Sequence, residues 1–518
     1  MYCSSAPVAN HLRTYKNCST ESFGRDTLMN HSRTNWKQII RLSATIHALI
    51  ALFMVIPTII AAARGEWAAF RAFITALVII VAYVAVVLPI SRTWSAKGLT
   101  IREVYLFVTI TWIIASAIGA IPLYVYGTLP DFPSAFMEIM SGFTTTGLTS
   151  LTDIESQPQS ILFWRSLTHW IGGMGIVVLF VALLPLVGTE GTQLFGAEAV
   201  GPTKSKLTPK IRNTASILWL IYVGFTLIET LLLLAGGLSL FDALTVTFGT
   251  MATGGFAAKN ASIGAYGSAY VEVVVTIFMV IAGINFSLYF LLIKKHLKEV
   301  FRDAELRVYL SIFLGFTLIG ALKLLFSNVY PSFTTALRYS AFHVASIMTT
   351  TGFSTANYSA WPSFFQGLLF ALMFIGGSSG STGGGIKVTR IITMFKLAAQ
   401  SVRSLLHPKG VFMIQSEHEK IAWKTVNSIA GFIVLYITLV LFVTLVTASS
   451  GVDLFTSLSA GLISVGNIGL GLAEVGPAGS GFSVMPAYVK WVLSFAMLAG
   501  RLEIYTVFAL LSRSFWKR

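Results

Sequence analysis

Thr144-Thr145-Thr146-Gly147-Leu148 decides the fold, because its pattern recurs three times. Met251-Ala252-Thr253-Gly254-Gly255-Phe256, Thr349-Thr350-Thr351-Gly352-Phe353 and Gly466-Asn467-Ile468-Gly469-Leu470-Gly471 are the other copies. Each follows an apolar stretch (about 133–144, 241–252, 334–349 and 453–466) that is too short to cross a bilayer, for which roughly 20 residues are needed. Taking glycines 147, 254, 352 and 469 as pivots, the copies lie 107, 98 and 117 residues apart. One Thr-Thr-Gly ordinarily means a turn and nothing more. Four copies, each between one full-length apolar stretch and the next, read as a span–half-helix–turn–span unit repeated four times.

The rest of the chain suits lipid as solvent. Of 518 residues, 55% are hydrophobic and 11% charged, and mean hydropathy is +0.76, which excludes a string of ordinary soluble domains. Apolar stretches near 39–63, 70–91, 103–126, 160–187, 214–237, 269–293, 308–326, 362–386, 425–448 and 488–512 predict ten spans. The net charge of +15 is distributed by loop. Segments 1–41, 88–104, 188–212, 293–308, 387–424 and 512–518 hold 28 of the 36 Lys and Arg residues and recur at every second loop. The positive-inside rule places these loops and both termini in the cytoplasm, so the charge orients a membrane protein and does not indicate nucleic acid. Cys3 and Cys18 support neither a disulfide scaffold nor a zinc site. Residues 1–38 read as a disordered tail without a signal peptide, and Met29 is an expected alternative start.

The expected fold is all-α and polytopic. A tail (1–38) and two extra helices (39–98) precede four pseudo-repeats around one pore, at 99–200, 201–300, 301–422 and 423–518. Irregular backbone at membrane depth is tolerated only where protein or a water-filled cavity satisfies it. Four such turns on one axis satisfy their carbonyls with a dehydrated cation. Glycine reaches positive φ without steric penalty and lets carbonyls on both sides of it face that axis. The half-helices aim the negative ends of their dipoles the same way. Neutral oxygens suit a large monovalent ion, whereas calcium or magnesium would call for carboxylates, and the turns contain none. The expected ion ligands are Thr145, Thr146 and Gly147; Ala252, Thr253 and Gly254; Thr350, Thr351 and Gly352; and Asn467, Ile468 and Gly469.

With these turns, Trp170-Ile171-Gly172-Gly173-Met174-Gly175-Ile176, the glycine-serine run 376–385 ending in Ile386-Lys387, and Gly500-Arg501-Leu502-Glu503, the chain resembles the TrkH potassium-uptake subunits of the bacterial Trk system, within the Trk/Ktr/HKT superfamily. The likeness runs in order from about residue 40 to 518. It implies potassium uptake across the bacterial inner membrane, with potassium as substrate and no cofactor. The implied partners are a second copy of the chain and a cytosolic nucleotide-binding ring of the TrkA type. That ring would dock on basic loops 387–424 (with Leu406-His407-Pro408), 188–212 and 293–308.

Gly376, Gly377, Ser378, Ser379, Gly380, Ser381, Thr382, Gly383, Gly384 and Gly385 interrupt an apolar span. A phosphate-binding loop is excluded, since Ile386 separates Gly385 from Lys387 and no strand precedes the run. A pore constriction and a packing kink both fit, and the resemblance implies an intramembrane gate. Arg501 is a costly charge within a span; the resemblance implies that it points into the pore near that loop, where it would bond Ser379, Ser381, Thr382 or their carbonyls, with an ion pair to Glu503 as the alternative. Arg165 is expected to snorkel or to pair with a carboxylate. Glu138, Asp131, Asp153 and Glu155 read as a solvated rim, and Lys323, Lys490 and Glu229 have no partner legible in the sequence. His47 and His169 lack companions at metal spacing, and no catalytic constellation is visible. A proton- or sodium-coupled symporter is the alternative function, but it needs an intramembrane carboxylate, and none stands out.

Overall fold

The computed structural model describes residues 34–91, 99–183, 211–408, 410, 415–416, 419–477, 479 and 481–516. The tail to residue 33, with Cys3, Cys18 and Met29, and the basic segment 184–210 lie outside these residues. Two helices come first, α1 (Trp36–Arg64) and α2 (Trp67–Ser91). The first unit is α3 (Ile101–Tyr126), α4 (Phe132–Phe143) and α5 (Gln159–Leu183). The second is α6 (Ile211–Ala235), α7 (Leu240–Met251), α8 (Ala269–Ala282) and α9 (Phe286–Ile293), followed by the short α10 (Leu297–Arg302). The third is α11 (Ala304–Phe326), α12 (Phe333–Met348), α13 (Ser363–Leu372) and α14 (Val388–Leu406). The fourth is α15 (Trp423–Ala448), α16 (Leu454–Gly466), α17 (Ala487–Arg501) and α18 (Tyr505–Leu511), with α19 (Arg513–Trp516) at the end. A two-residue antiparallel pair, β1 (Gln415–Ser416) and β2 (Glu419–Lys420), is the only sheet among the described residues.

The half-helices α4, α7, α12 and α16 contain 12, 12, 16 and 13 residues. At 1.5 Å per residue they reach only part of the way across a hydrocarbon core about 30 Å thick. Each starts where a side chain accepts from its first turn: Asp131 from Ser134 N, Ser239 from Asp242 N, Ser332 from Thr335 N, and Asp453 from Phe455 N and Thr456 N. Exposure separates the two kinds of helix. Leu52, Ile59, Val78, Leu220, Leu231, Leu318 and Leu445 on the long helices face outward, whereas every residue of α4 from Ser134 to Phe143 is buried. The exposed faces of these long helices are left for lipid, whereas protein surrounds α4.

Each helix after a turn packs on the half-helix of the next unit. Phe163 of α5 meets Phe248 of α7 at 5.8 Å, and Glu272 of α8 pairs with Arg338 of α12 at 2.9 Å. Phe370 of α13 meets Phe455 of α16 at 6.2 Å, and Trp491 of α17 returns to Phe136 of α4 at 4.8 Å. The four units therefore close into a ring.

Three of the ten predicted spans are not continuous helices. The 269–293 stretch bends by 93° between α8 and α9, and the 488–512 stretch by 119° between α17 and α18. The 362–386 stretch is helical only to Leu372. Six described helices pass as spans by length and composition, or eight with each bent pair taken as one. Hydropathy reads composition and cannot register a chain reversal inside an apolar segment.

Candidate functional site

Every half-helix ends in the same turn. Thr145, Thr253, Thr350 and Asn467 have φ of 51°, 53°, 60° and 53°, and two residues later Gly147, Gly255, Gly352 and Gly469 have φ of 85°, 81°, 81° and 91°. Between them, Thr146 N, Gly254 N, Thr351 N and Ile468 N each donate to the carbonyl five residues back, at 2.8–3.0 Å. This is a helix C-terminal turn with a left-handed residue just past the helix, a place usually taken by glycine. Three β-branched threonines hold that conformation here, which is backbone strain of the kind that clusters at functional sites.

The φ pattern corrects the second turn. The residue equivalent to Gly147 is Gly255, not Gly254, so the set matching Thr145-Thr146-Gly147 is Thr253-Gly254-Gly255 and not Ala252-Thr253-Gly254. Two adjacent glycines conceal the shift in the sequence, but the shared Thr/Asn-x-Gly spacing could have revealed it.

The turns touch one another in order. A Cβ on Gly147 would lie 2.1 Å from Gly254 O, one on Gly255 2.0 Å from Thr351 O, one on Gly352 2.3 Å from Ile468 O, and one on Gly469 2.5 Å from Thr146 O. Backbone meets backbone around a closed cycle, at distances only glycine permits. Asn467 adds a side-chain link, its Nδ2 donating to Thr146 Oγ1 at 2.8 Å and to Met497 O at 2.9 Å. No carboxylate belongs to any turn.

The 376–385 loop lies directly against this cycle. Gly384 N donates to Thr350 Oγ1 at 2.7 Å, Thr382 Oγ1 reaches Met251 O and Ala282 O at 3.2 Å each, and Thr253 Oγ1 lies 3.3 Å from Thr382 Oγ1. The loop closes on itself through Gly376 N, which donates to Ile386 O at 2.9 Å. The bend between α8 and α9 makes room for it: Ser378 N donates to Gly283 O, and Phe286 N to Gly380 O.

Arg501 is buried, with Nη1 donating to Thr382 O at 2.7 Å and Nη2 to Gly172 O at 3.2 Å. It reaches a loop carbonyl, one of the contacts the resemblance implies, and not a hydroxyl. Glu503 instead pairs with Arg390 of α14 at 2.5 Å, and that guanidinium lies 3.9 Å over the Phe432 ring. Glu305 of α11 is a loop-holding residue that sequence reasoning missed. Its Oε1 accepts from Ser379 N at 2.7 Å and Thr389 N at 3.2 Å, while Lys387 Nζ bonds Gly383 O. Glu305 sits 74 positions before Ser379, so no local signal could have found it.

Two more expectations are corrected. Glu138 is not on a solvated rim: it is fully buried, pairs with Arg165 at 2.7 Å, and accepts from Thr149 Oγ1 and Ser150 N just after the first turn. Asp153 and Glu155 tie their loop to Asn260, and Asp131 caps α4. Intramembrane carboxyl groups do exist: besides Glu138, Glu229 is completely buried in α6. Lys490 donates to Ser134 Oγ at 2.8 Å. His169 stacks on Phe256 at 4.1 Å with its Nδ1 accepting from Phe256 N, and no metal-binding group of side chains occurs among the described residues.

The architecture is that of a polytopic, all-α membrane protein with four pseudo-repeats arranged about one axis. The family described as TrkH, cation transport protein, matches residues 70–517, and the chain belongs to it. The chain is 36% identical over 487 residues to the Trk system potassium uptake protein TrkH of Salmonella typhimurium, covering 93% of this chain and 100% of that one. It is 34% identical to the Trk system potassium uptake protein TrkG of Escherichia coli, over 82% of this chain and 87% of the relative. The crystal structure of the potassium transporter TrkH from Vibrio parahaemolyticus superposes with a TM-score of 0.83 at 32% identity, covering 93% of this chain and 100% of that one.

Proposed function

We propose that this chain takes up potassium across the bacterial inner membrane by a channel-like mechanism, with the four turns as selectivity filter. The observation that carries this reading is the closed cycle of backbone contacts among Gly147, Gly255, Gly352 and Gly469, which gathers neutral carbonyl oxygens at membrane depth with no carboxylate among them. Carbonyl dipoles replace a monovalent ion's hydration shell. The ligand set is Thr145, Thr146, Gly147, Thr253, Gly254, Gly255, Thr350, Thr351, Gly352, Asn467, Ile468 and Gly469. Inward movement is driven by the membrane potential, worth about 2.3 kcal/mol per charge at 100 mV, or roughly fifty-fold accumulation.

The 376–385 loop is the gate and Arg501 its closed-state clamp. The guanidinium both ties Thr382 O in place and repels cations from the passage. Opening requires the loop to leave Arg501, Glu305 and Thr350. The helix α14 leaves the loop directly and carries the basic segment that a cytosolic TrkA-type nucleotide-binding ring would grip, so a pull on α14 reaches the gate through Lys387 and Arg390. The chain divides into the two extra helices (39–98) and four pore repeats, works as a homodimer with one pore per protomer, and has both termini in the cytoplasm.

The test is uptake of potassium against sodium into proteoliposomes, for the native protein and for Gly352→Ser. A potassium preference that collapses in the variant supports the filter; a preference that survives moves selectivity elsewhere.

A further inference from the structure

The pathway leaves one buried acid unused. Glu229 lies in α6, six residues before its end at Ala235, with a relative exposure of 0% and no hydrogen-bond partner among the described residues on either carboxyl oxygen. An ionised carboxylate only accepts hydrogen bonds, and one left bare in a low-dielectric interior is very costly. The side chain lying against it is Thr250 of α7, whose hydroxyl hydrogen is donated to Val246 O at 2.9 Å. Thr250 offers lone pairs only. Thr226 and Thr230, three residues before and one after Glu229, spend their hydrogens in the same way on Tyr222 O and Thr226 O.

No cation pairs with Glu229 among the described residues. The elements packed on α6 are α5, α7, α8 and α9. From α5, Arg165 is taken by Glu138, and His169 points its Nδ1 at Phe256 N. On α7 the titratable group is Asp242, in the first turn, bonded to Ser239 and Tyr266. On α8, Glu272 is taken by Arg338, and Tyr270 is half-exposed. On α9, Tyr289 donates its hydroxyl to Ile281 O. On α6 itself, Tyr222 donates to Trp170 O.

We propose that Glu229 is a proton-binding site: the neutral acid, with its O–H directed at the Thr250 hydroxyl oxygen, is the form that fits an acceptor-only surrounding. The site connects to ion passage through one short path. Thr250 precedes Met251, whose carbonyl receives the Thr382 hydroxyl of the 376–385 loop, and Thr382 O is the atom Arg501 holds. Removing the proton places a negative charge behind the second turn, where it draws cations toward the cycle of carbonyls and disturbs the packing of α7 on α6. The proton therefore sets the strength of the pathway's grip on its ion. This consequence for transport rests on the potassium-pathway reading; the proton site does not.

The experiment is difference infrared spectroscopy of the full-length protein in lipid at neutral pH. A protonated-carboxyl stretch that shifts in D2O, vanishes in Glu229→Gln and moves to the frequency of an acid without a hydrogen-bond acceptor in Thr250→Val is the expected result. Absence of any protonated-carboxyl band that responds to Glu229→Gln overturns the proposal. Should that variant not fold, Glu229→Asp must displace the band, and an unmoved band overturns it equally. Uptake into proteoliposomes tests the linkage: over the pH rise that removes the Glu229 protonated-carboxyl band, the native KM for potassium falls by about threefold or more, as a nearby negative charge dictates, and stays flat in Glu229→Gln. Identical profiles in both proteins overturn the linkage. The infrared arm reads no ion flux, so its failure is distinct from failure of the potassium reading.

Discussion

The register of the second turn makes a sharp prediction, since Gly254 and Gly255 are adjacent and only one occupies the cycle. In Gly255→Ala the new methyl group would stand 2.0 Å from Thr351 O and 3.1 Å from the Gly352 carbonyl carbon, and the three atoms nearest it are all backbone. Ordinary contact begins near 3.4 Å, so the Thr351 carbonyl must retreat by about 1.4 Å (3.4 − 2.0). That carbonyl has little freedom, because Thr351 N is tied to Ser346 O at 2.8 Å and Thr351 Oγ1 to Thr349 Oγ1 at 2.7 Å. A left-handed conformation at φ +81° adds roughly 1–2 kcal/mol for any L side chain. Gly254→Ala is different in kind. Its φ is not left-handed, and the three atoms nearest its methyl group all belong to the His169 ring, with Nδ1 at 2.5 Å and Cγ at 2.6 Å. Removing that ring as well, in Gly254→Ala/His169→Ala, relieves the contact and costs the ring's bond to Phe256 N without moving a carbonyl of the cycle. The assay is the ratio of potassium to sodium uptake in proteoliposomes. Gly255→Ala should lose at least about tenfold in selectivity, equivalent to about 1.4 kcal/mol, while the double variant stays near the native ratio. The opposite outcome, with Gly255→Ala selective and the double variant not, would refute the assigned register and restore Gly254 as the pivot.

Three other outcomes follow from the same contacts. Arg501→Ala frees Thr382 O and should raise basal flux while weakening its dependence on the cytosolic ring; flux assays with and without the ring that show neither change would remove Arg501 from gating. Glu138→Ala leaves Arg165 charged and buried without its partner, which should cost about 3–5 kcal/mol of stability, with Glu138→Gln/Arg165→Met recovering part of it; a loss under about 1 kcal/mol on thermal unfolding in detergent would show that the pair is already solvated. The Thr456 side chain and backbone hold the Asp453 carboxyl below its usual value of 3.8. A depressed folded value means stabilisation that is complete above the unfolded value and lost as pH falls through the folded one. Asp453→Ala should therefore lower stability by about 1 kcal/mol at neutral pH, the worth of an N-cap, with the deficit shrinking under acid; a deficit independent of pH would assign the loss to packing.

Much of the architecture was legible in the sequence because its governing signal is length. An apolar stretch half as long as a span, opened by a capping residue and closed by a glycine turn, has few other ways to fold, and the four half-helices fall within a residue or so of the stretches that predicted them. The bends were hidden for the complementary reason. Gly283-Ile284-Asn285 and Leu502-Glu503-Ile504 interrupt segments that hydropathy averages into single spans, although the break at Asn285 uses an ordinary side-chain cap, its Oδ1 accepting from Ser287 N at 2.9 Å. The charged residues were visible individually, but their partners lie 27 positions away for Glu138–Arg165, 113 for Arg390–Glu503 and 119 for Arg501–Thr382. Such pairings are set by the closing of the ring, and no local pattern encodes them.

The same contacts explain why a loop from one unit only, the proposed gate, presses on the fourfold cycle. A segment pressed against carbonyls already crowded by one another must be nearly free of side chains. Gly376 comes so close to Gly384 O, and Gly384 to Gly466 O, that a Cβ would lie 2.1 Å and 2.4 Å from them. Only the third unit has a run of glycine and serine long enough to meet that demand after its turn. A loop without side chains has little to hold itself closed, so its anchors come from elsewhere: Glu305 from α11, Arg501 from the fourth unit, and Gly172 of the first unit as Arg501's second acceptor. On the proposed reading, selectivity is shared almost equally by four turns while opening depends on a few polar contacts between units. Substitutions at the pivot glycines should alter which ion passes, and substitutions at Arg501 or Glu305 should alter when it passes.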